Sequence, residues 1–366
     1  MPAADWRNKM SDKLRVAVIG CGGMGAHVHL PSYSEMKNVE IVAVCDIVRA
    51  KAERAAASFN VPNVFEDYKE LIKMDGLDAV DICTPNYLHS IIAVDALEAG
   101  LHVFCEKPDA INTVEAQKMK DAAEKSGKTL MVMRNNRYMP ISGYLKEYIN
   151  EGNMGDIYAT RCGWIRRRGI PGKGGWFTTK EQSGGGPLID LGVHMIDLTM
   201  WLMGNPTPVA VSGATYSKFN DTETSDSVHS KFGEKKDDGT FDVEDLATGF
   251  IRFDNGASMQ IEFSWASNIE AEDRFFELRG SKAGASWHSL DDKLKIFTEA
   301  QGRTVDYLPN INNSAGPGHH KANLMHFVDV VLNGKDPMFV PVQGLNMVKI
   351  LEAIYKSAEQ GKEILL

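Results

Sequence analysis

No stretch of eighteen apolar residues occurs in this 366-residue chain, so the sequence offers no membrane-spanning helix. The opening residues, Met1 to Lys13, lack the apolar segment of a secretory signal, and a cytoplasmic location is expected. Positive charge is in short supply: 40 Lys and Arg face 49 Asp and Glu, for a formal net charge of -9. Such a balance provides no overall field for a phosphate backbone and excludes a nucleic-acid partner. Cysteine is scarce as well. The five present (Cys21, Cys45, Cys83, Cys105 and Cys162) are odd in number, scattered and set mostly in apolar runs, which reads as reduced core thiols. Their spacing suits no metal, and His319 and His320 are adjacent rather than at ligand spacing, so no metal site is expected. Internal repeats and low-complexity tracts are absent.

What is present is alternation. The runs LRVAVIG, VEIVAVCD, DAVDICTP, LHVFCEKP and TLMVM are too short for helices and rich in Val and Ile, as doubly buried strands are. Helical patterns such as HSIIAVDALEAG and TVEAQKMKDAAEKSG lie between them. This grammar predicts an α/β fold with an N-terminal, doubly wound parallel Rossmann sheet. After about Pro140 the pattern changes to a helix (140–151), a strand IYATRCGWIRRR, a Gly-rich loop and an apolar helix from Pro187 to Met203. Residues 206 to about 308 then read as successive strands of a largely antiparallel, open-faced sheet, whose open face is expected to bear the large apolar residues alternating along ATGFIRF and SMQIEFSWA, and helices near 318–333 and 342–360 close the chain. The polar stretch from Phe219 to Thr240 reads as an exposed loop. The length exceeds one core, so the expected division is a disordered extension (1–13), a dinucleotide-binding domain (14–138) and a substrate-binding and oligomerisation α/β domain (139–366).

The first strand runs into Gly20-Cys21-Gly22-Gly23-Met24-Gly25, a G-x-G-x-x-G opening a helix. The first glycine permits the tight turn, the second lets a pyrophosphate approach the backbone, and the third packs helix on strand. A second strand ends in Asp46, 21 residues past Gly25, where a carboxylate accepts from adenosine ribose hydroxyls and repels a 2′-phosphate. Together these predict NAD as cofactor. Arg49 is the qualification: it either swings toward a 2′-phosphate or sits solvated on the next helix.

The stretches VDICTPNYLH (80–89), GLHVFCEKPDA (100–110) and SGGGPLIDLGVHMIDL (183–198) resemble the Gfo/Idh/MocA family, the glucose-fructose oxidoreductase and inositol dehydrogenase group. The likeness runs from Val16 to the C-terminus. It implies a Rossmann domain followed by an α/β domain whose open sheet commonly mediates oligomers, here a homodimer or homotetramer. It implies a catalytic set of Lys107, Asp190 and His194. Thr84, Pro85, Asn86 and His89 match the family's cofactor-side loop, Glu106 and Lys107 would lie at the nicotinamide end, and a cis Lys107–Pro108 bond is in keeping with it.

The chemistry suits those residues. Oxidising a secondary alcohol needs a hydride acceptor and a base for the hydroxyl proton. His194, whose ordinary pKa lies near neutrality, is the expected general base, Lys107 the donor to the substrate oxygen, and Asp190 the group orienting substrate or imidazole. Asp190 and His194 are four apart on an otherwise apolar helix, where ionisable groups are costly unless used. From spacing alone a satisfied core His–Asp pair is an equal reading; the resemblance decides against it. Asp197 on the same helix reads as structural, holding a backbone group or an arginine. Among Arg166, Arg167 and Arg168, which alternate on a strand, Arg167 is the candidate for substrate, against a paired or solvated role. Trp176 either covers the nicotinamide or packs its loop. The expected activity is NAD-dependent hydride transfer to or from a secondary hydroxyl of a small polyhydroxylated substrate: a sugar, glycoside or cyclitol. The alternatives are an NAD-retaining glycoside-cleaving enzyme that works by transient oxidation, and a non-catalytic sugar or nucleotide sensor.

Overall fold

The computed structural model describes residues 13–366. The extension expected over residues 1–13 lies, apart from Lys13, outside the described residues. Two compact units form, and they are not separated by one cut. The first holds the chain up to Asp109, then Gln117–Met133 and His320–Pro341; the second holds Ala110–Ala116, Arg134–His319 and Val342–Leu366. Late-sequence residues join the first unit because the helix His319–Asn333 buries Phe327 against Phe104, their rings 5.3 Å apart.

The first unit contains six strands: Leu14–Ile19 (β1), Val39–Cys45 (β2), Asn63–Phe65 (β3), Ala79–Ile82 (β4), His102–Cys105 (β5) and Leu130–Val132 (β6). All pair in parallel, in the order β3-β2-β1-β4-β5-β6, the doubly wound Rossmann arrangement. Every residue of β4 is buried, as an unbroken apolar run predicts for a central strand covered on both faces. The crossing helices include Leu30–Ser34 (α1), Arg49–Phe59 (α2), Tyr68–Leu71 (α3), His89–Glu98 (α4) and Thr113–Ser126 (α5).

In the second unit the helix Pro140–Asn150 (α6) precedes Ile157–Ile165 (β7), and Lys180–Ser183 (α7) precedes Val193–Leu202 (α8). Strands β8 to β14 come next: Pro208–Tyr216, Leu246–Phe253, Ser258–Ser264, Asp273–Gly280, Gly284–His288, Lys293–Ala300 and Arg303–Tyr307. After His319–Asn333 (α9) and Pro341–Gln360 (α10), Ile364–Leu365 (β15) adds a last strand to the sheet. The nine-stranded order is β14-β13-β12-β11-β7-β10-β9-β8-β15, antiparallel throughout except that β7 and β10 run parallel. The polar stretch 219–240 holds one short 3-10 helix, Val228–Lys231, among turns and irregular chain.

The open sheet face differs from expectation. The large apolar residues alternating along β9 and β10 (Ile251, Phe253, Met259, Ile261 and Phe263) are all buried, so they point into the unit's own core. Strand parity leaves Phe250, Arg252, Gln260 and Glu262 on the other face, alongside Arg161, Glu277 and Arg279. That face is mixed and charge-rich rather than apolar.

Candidate active site

The cofactor half begins where β1 ends. Gly20 adopts φ +100°, and a Cβ there would sit 2.6 Å from the Cys83 carbonyl oxygen. A Cβ on Gly25 would meet the Gly20 carbonyl oxygen at 2.0 Å, so helix and turn pack as closely as glycine alone permits. Over Gly22 nothing lies within 4 Å, leaving room for a ligand against the backbone. Gly23 and Met24 are the first helical residues, and their amides stand at a helix N-terminus, where anions are stabilised.

Asp46, just past β2, is fixed from both sides. The Cys21 amide donates to its Oδ2 at 2.9 Å and the Val48 amide to its Oδ1 at 2.8 Å. Its carboxylate is thereby oriented at the loop while keeping further lone pairs for hydroxyl donors. Arg49 is exposed, with Nε 2.8 Å from Glu53 and Nη1 3.1 Å from Glu66. Two acids beside it oppose the approach of a 2′-phosphate. At the end of β4 the buried Thr84 Oγ1 has no hydrogen-bond partner. Pro85 leads into the turn Asn86–Leu88, whose Asn86 is buried. An open glycine cradle, a preset carboxylate and an orphaned hydroxyl together fit a dinucleotide.

His89, expected as a cofactor contact, is buried between two backbone carbonyls. Its Nδ1 lies 2.7 Å from the Pro108 carbonyl and its Nε2 2.8 Å from the Thr84 carbonyl. Set between these two carbonyls and donating to at least one of them, it bridges the loops that carry both. Burial pulls its pKa down, against the pull of those carbonyls. The Lys107–Pro108 bond is cis. Glu106 is buried, and its Oε2 accepts from the Lys107 amide at 3.1 Å.

The second half is a helix start. Gly184 to Gly186 are required by close approaches: Cβ atoms on Gly185 and Gly186 would lie 2.0 Å from the Tyr355 hydroxyl and 2.0 Å from the Glu244 carbonyl oxygen. Glu244, fully enclosed, accepts from the amides of Gly186 (3.0 Å) and Leu188 (3.1 Å) and from the Tyr355 hydroxyl (2.9 Å). It caps the helix with a carboxylate. Burial raises its pKa, opposed by those donors. The expected helix from Pro187 therefore starts as a wide π-type turn, Leu188–Gly192, before continuing as α8. Such wide turns recur at functional sites.

From Gly185 to Leu202 every residue is buried except two, Asp190 and His194. Trp265 Nε1 donates to Asp190 Oδ2 at 3.0 Å. The His194 ring packs against Trp164 of β7, with centroids 6.1 Å apart. Above Trp164 sit two guanidiniums, Arg166 at 4.9 Å and Arg274 at 5.1 Å; Arg274 also stacks on Trp287 at 5.0 Å. Trp164 Nε1 in turn donates to Glu272 at 3.0 Å. Burial lowers the Arg166 pKa, while the Asp190 and Glu272 carboxylates oppose that shift.

The substrate candidate Arg167 and its neighbour Arg166 sit in different surroundings. Arg167 is largely exposed, 3.5 Å from Asp226, and Arg166 is the one whose charge Asp190 feels. Arg166, just past the end of β7, lies over the Trp164 ring, whereas the Arg167 side chain is largely exposed. Trp176 is half-buried and stacks on Phe177 with centroids 3.9 Å apart. Trp164, Trp265 and Arg274 were missed, as each reads as an ordinary strand residue until the sheet is assembled. Asp197 does hold arginines: Arg137 grips it through Nε (2.8 Å) and Nη2 (2.7 Å), and Arg134 Nε lies 2.9 Å away.

The dinucleotide cradle and the polar pair on a buried helix define an oxidoreductase of the Rossmann class. Residues 14–134 match the oxidoreductase-family domain with an NAD-binding Rossmann fold, and residues 146–366 match the C-terminal alpha/beta domain of the same family. This chain belongs to the Gfo/Idh/MocA oxidoreductase family, and NAD is its cofactor. It is 34% identical to the D-glucoside 3-dehydrogenase of Escherichia coli K12, over 97% of this chain and 98% of that one. It is 26% identical to the scyllo-inositol 2-dehydrogenase (NAD(+)) of Bacillus subtilis, over 98% and 97%. A levoglucosan dehydrogenase solved with NADH superposes with a TM-score of 0.84 at 25% identity, over 96% of this chain and 99% of that one.

Proposed function

We propose that this NAD-dependent dehydrogenase oxidises and reduces a secondary hydroxyl of a sugar, glycoside or cyclitol, with Lys107, Asp190 and His194 as its catalytic residues. The observation that carries the assignment is the exposure pattern of the α8 segment, in which only Asp190 and His194 escape burial. A buried apolar helix tolerates two ionisable groups at its open surface when both have work to do. The named activities of the relatives, on glucosides, an inositol and levoglucosan, support this substrate class.

When bound, NAD supplies the hydride acceptor. His194 takes the hydroxyl proton in oxidation and returns it in reduction. Trp164 restricts the imidazole by contact with its ring. Asp190, held by the Trp265 indole, orients substrate hydroxyls and favours the charged imidazole. Lys107 donates to the reacting oxygen and stabilises developing alkoxide charge. Arg166 takes the substrate-facing role expected of Arg167. The protein acts in the cytoplasm as a homodimer or homotetramer associating through the sheet of the second unit. Support for that association is the half-exposed Phe250 and exposed Phe297 among the charges of its outer face.

The test supplies excess NAD with a panel of glucosides, aldoses and inositols, and compares NADH formed with substrate consumed. A ratio near one with at least one of them is expected. Release of an aglycone without NADH would refute the assignment in favour of a cofactor-retaining glycosidase. In the same assay Lys107→Ala and His194→Ala should each cut turnover about a hundredfold or more. Near-normal turnover in either would remove that residue from the mechanism.

A further inference from the structure

One buried cluster stands apart from the residues of the proposed reaction. His29 is the last residue of the wide turn Gly25–His29 that comes after the glycine loop, and it is entirely shielded from solvent. Its Nδ1 lies 2.6 Å from Asp81 Oδ2 and its Nε2 2.8 Å from Glu106 Oε1. Asp81 is equally buried, in the middle of the parallel sheet, and the Cys83 thiol approaches Nδ1 at 3.4 Å. The Tyr33 ring of α1 and the Phe104 ring of β5 complete the enclosure, the latter 6.0 Å from the imidazole.

His29, Asp81 and Cys83 have ligand-type atoms within 4.8 Å of one another, a grouping that could be taken for a metal site. The hydrogen bonds say otherwise. Each ring nitrogen already faces a carboxylate oxygen, and only a doubly protonated ring can donate in both directions. Burial and the neighbouring Asp81 carboxylate keep the Cys83 thiol from ionising. The cluster is an ion triad, one imidazolium between two carboxylates.

Its output is directional. Glu106 Oε1 is held by His29, and Glu106 Oε2 accepts the main-chain amide of Lys107. On the far side of Lys107, the Pro108 carbonyl is tied to His89. The Lys107 backbone is thus held between two buried histidines, one acting through a carboxylate and one through a carbonyl.

We propose that His29 is a positioning residue for the nicotinamide end of the cofactor site, acting as a permanent imidazolium that fixes Glu106 and, through it, the Lys107 backbone. The proposal rests on the placement of Glu106 and Lys107 at the nicotinamide end and is independent of which alcohol is oxidised. The electrostatics agree. Burial alone would lower the His29 pKa, but Asp81 and Cys83 hold it well above its ordinary value. Burial would raise Glu106, yet the hydrogen bond and charge of His29, with His320 and Lys107 contributing, depress it to about 2. His29 also lies only four residues beyond Gly25, so one wide helical turn links the phosphate cradle to the lysine.

The experiment compares two ligands differing only in the nicotinamide: NADH, monitored by its fluorescence, and ADP-ribose, by competition. Wild type, His29→Gln and Lys107→Ala are titrated, with thermal melts to establish folding. For His29→Gln the expected result is NADH affinity weakened about tenfold with ADP-ribose affinity held within about twofold. Unchanged NADH affinity in a folded His29→Gln protein overturns the proposal, whatever Lys107→Ala does. Equal losses for both ligands also overturn it, because a general structural defect would not discriminate. An effect in Lys107→Ala without one in His29→Gln would leave the nicotinamide placement standing and the proposal refuted. Should His29→Gln not fold, imidazole nitrogen NMR on the wild-type protein decides: both His29 nitrogens protonated at pH 8 is the expected state, and one bare nitrogen overturns the claim.

Discussion

Replacing Asp197 with Asn tests the internal electrostatics of the helix that carries His194. The substitution preserves shape and removes one charge. In the native unit that carboxylate faces two guanidiniums, Arg137 in a two-pronged grip at 2.7 and 2.8 Å and Arg134 at 2.9 Å, with all three side chains at most 5% exposed. Lys146 lies nearby over Trp201, its pKa lowered by burial and by Arg137, so the neighbourhood is already rich in positive charge. Breaking a buried ion pair from one side costs about 3–5 kcal/mol, because the stranded charge keeps its desolvation cost. With two cations stranded, the upper half of that range applies. For a unit of roughly 200 residues each kcal/mol shifts the melting temperature by about 2–4 °C, so a fall of roughly 8–20 °C is expected. Calorimetry reads it directly, with Asp237→Asn, at a position where the side chain is 94% exposed, as the control that should barely move. A shift below about 2 °C for Asp197→Asn would mean the arginines are neutralised elsewhere, and the reasoning from buried charge would fail.

Two further outcomes are expected. NAD should bind at least about tenfold more tightly than NADP, and Asp46→Ala should shrink that gap by removing the carboxylate that repels a 2′-phosphate; equal affinities in the wild type would refute it. Stability should also vary with pH in a predictable direction. His29 has a raised folded pKa, so its contribution is complete below about pH 6.5 and is lost as pH climbs toward the folded value; Glu106 has a depressed one, so its contribution is complete above about pH 4.5 and is lost as pH falls toward 2. Melting temperatures from pH 6.5 to 9 should decline more steeply for wild type than for His29→Gln, and parallel curves would contradict the charged-imidazole assignment.

Local chemistry is legible in the sequence alone. The glycine spacing, the acid closing the second strand and the Val-rich runs each depend on near neighbours, and the Rossmann unit is built from them. The polar pair on α8 is visible because Asp190 and His194 interrupt a stretch of Leu, Ile, Val and Met. The features that stay hidden depend on long-range pairing. His29 reads as an ordinary helical residue until Asp81 and Glu106, 52 and 77 positions later, come to either side. Glu244 lies in the polar part of the chain and gains meaning only by meeting Gly186 and Leu188. The different surroundings of Arg166 and Arg167 appear only when the chain past β7 is placed, and the outer sheet face was expected to be apolar because alternation shows that two faces differ without saying which one is covered.

The wide turns at Gly25–His29 and Leu188–Gly192 make the candidate residues of each unit sensitive to helix geometry as well as to residue identity. Each closes with one residue more per turn than an α-helix, so if the segment relaxed to regular helix with every residue kept, everything upstream of it would rotate by roughly 100° relative to the downstream helix. In engineering this chain, those two turns are therefore places where a change that favours regular helix alters geometry without touching any candidate site residue.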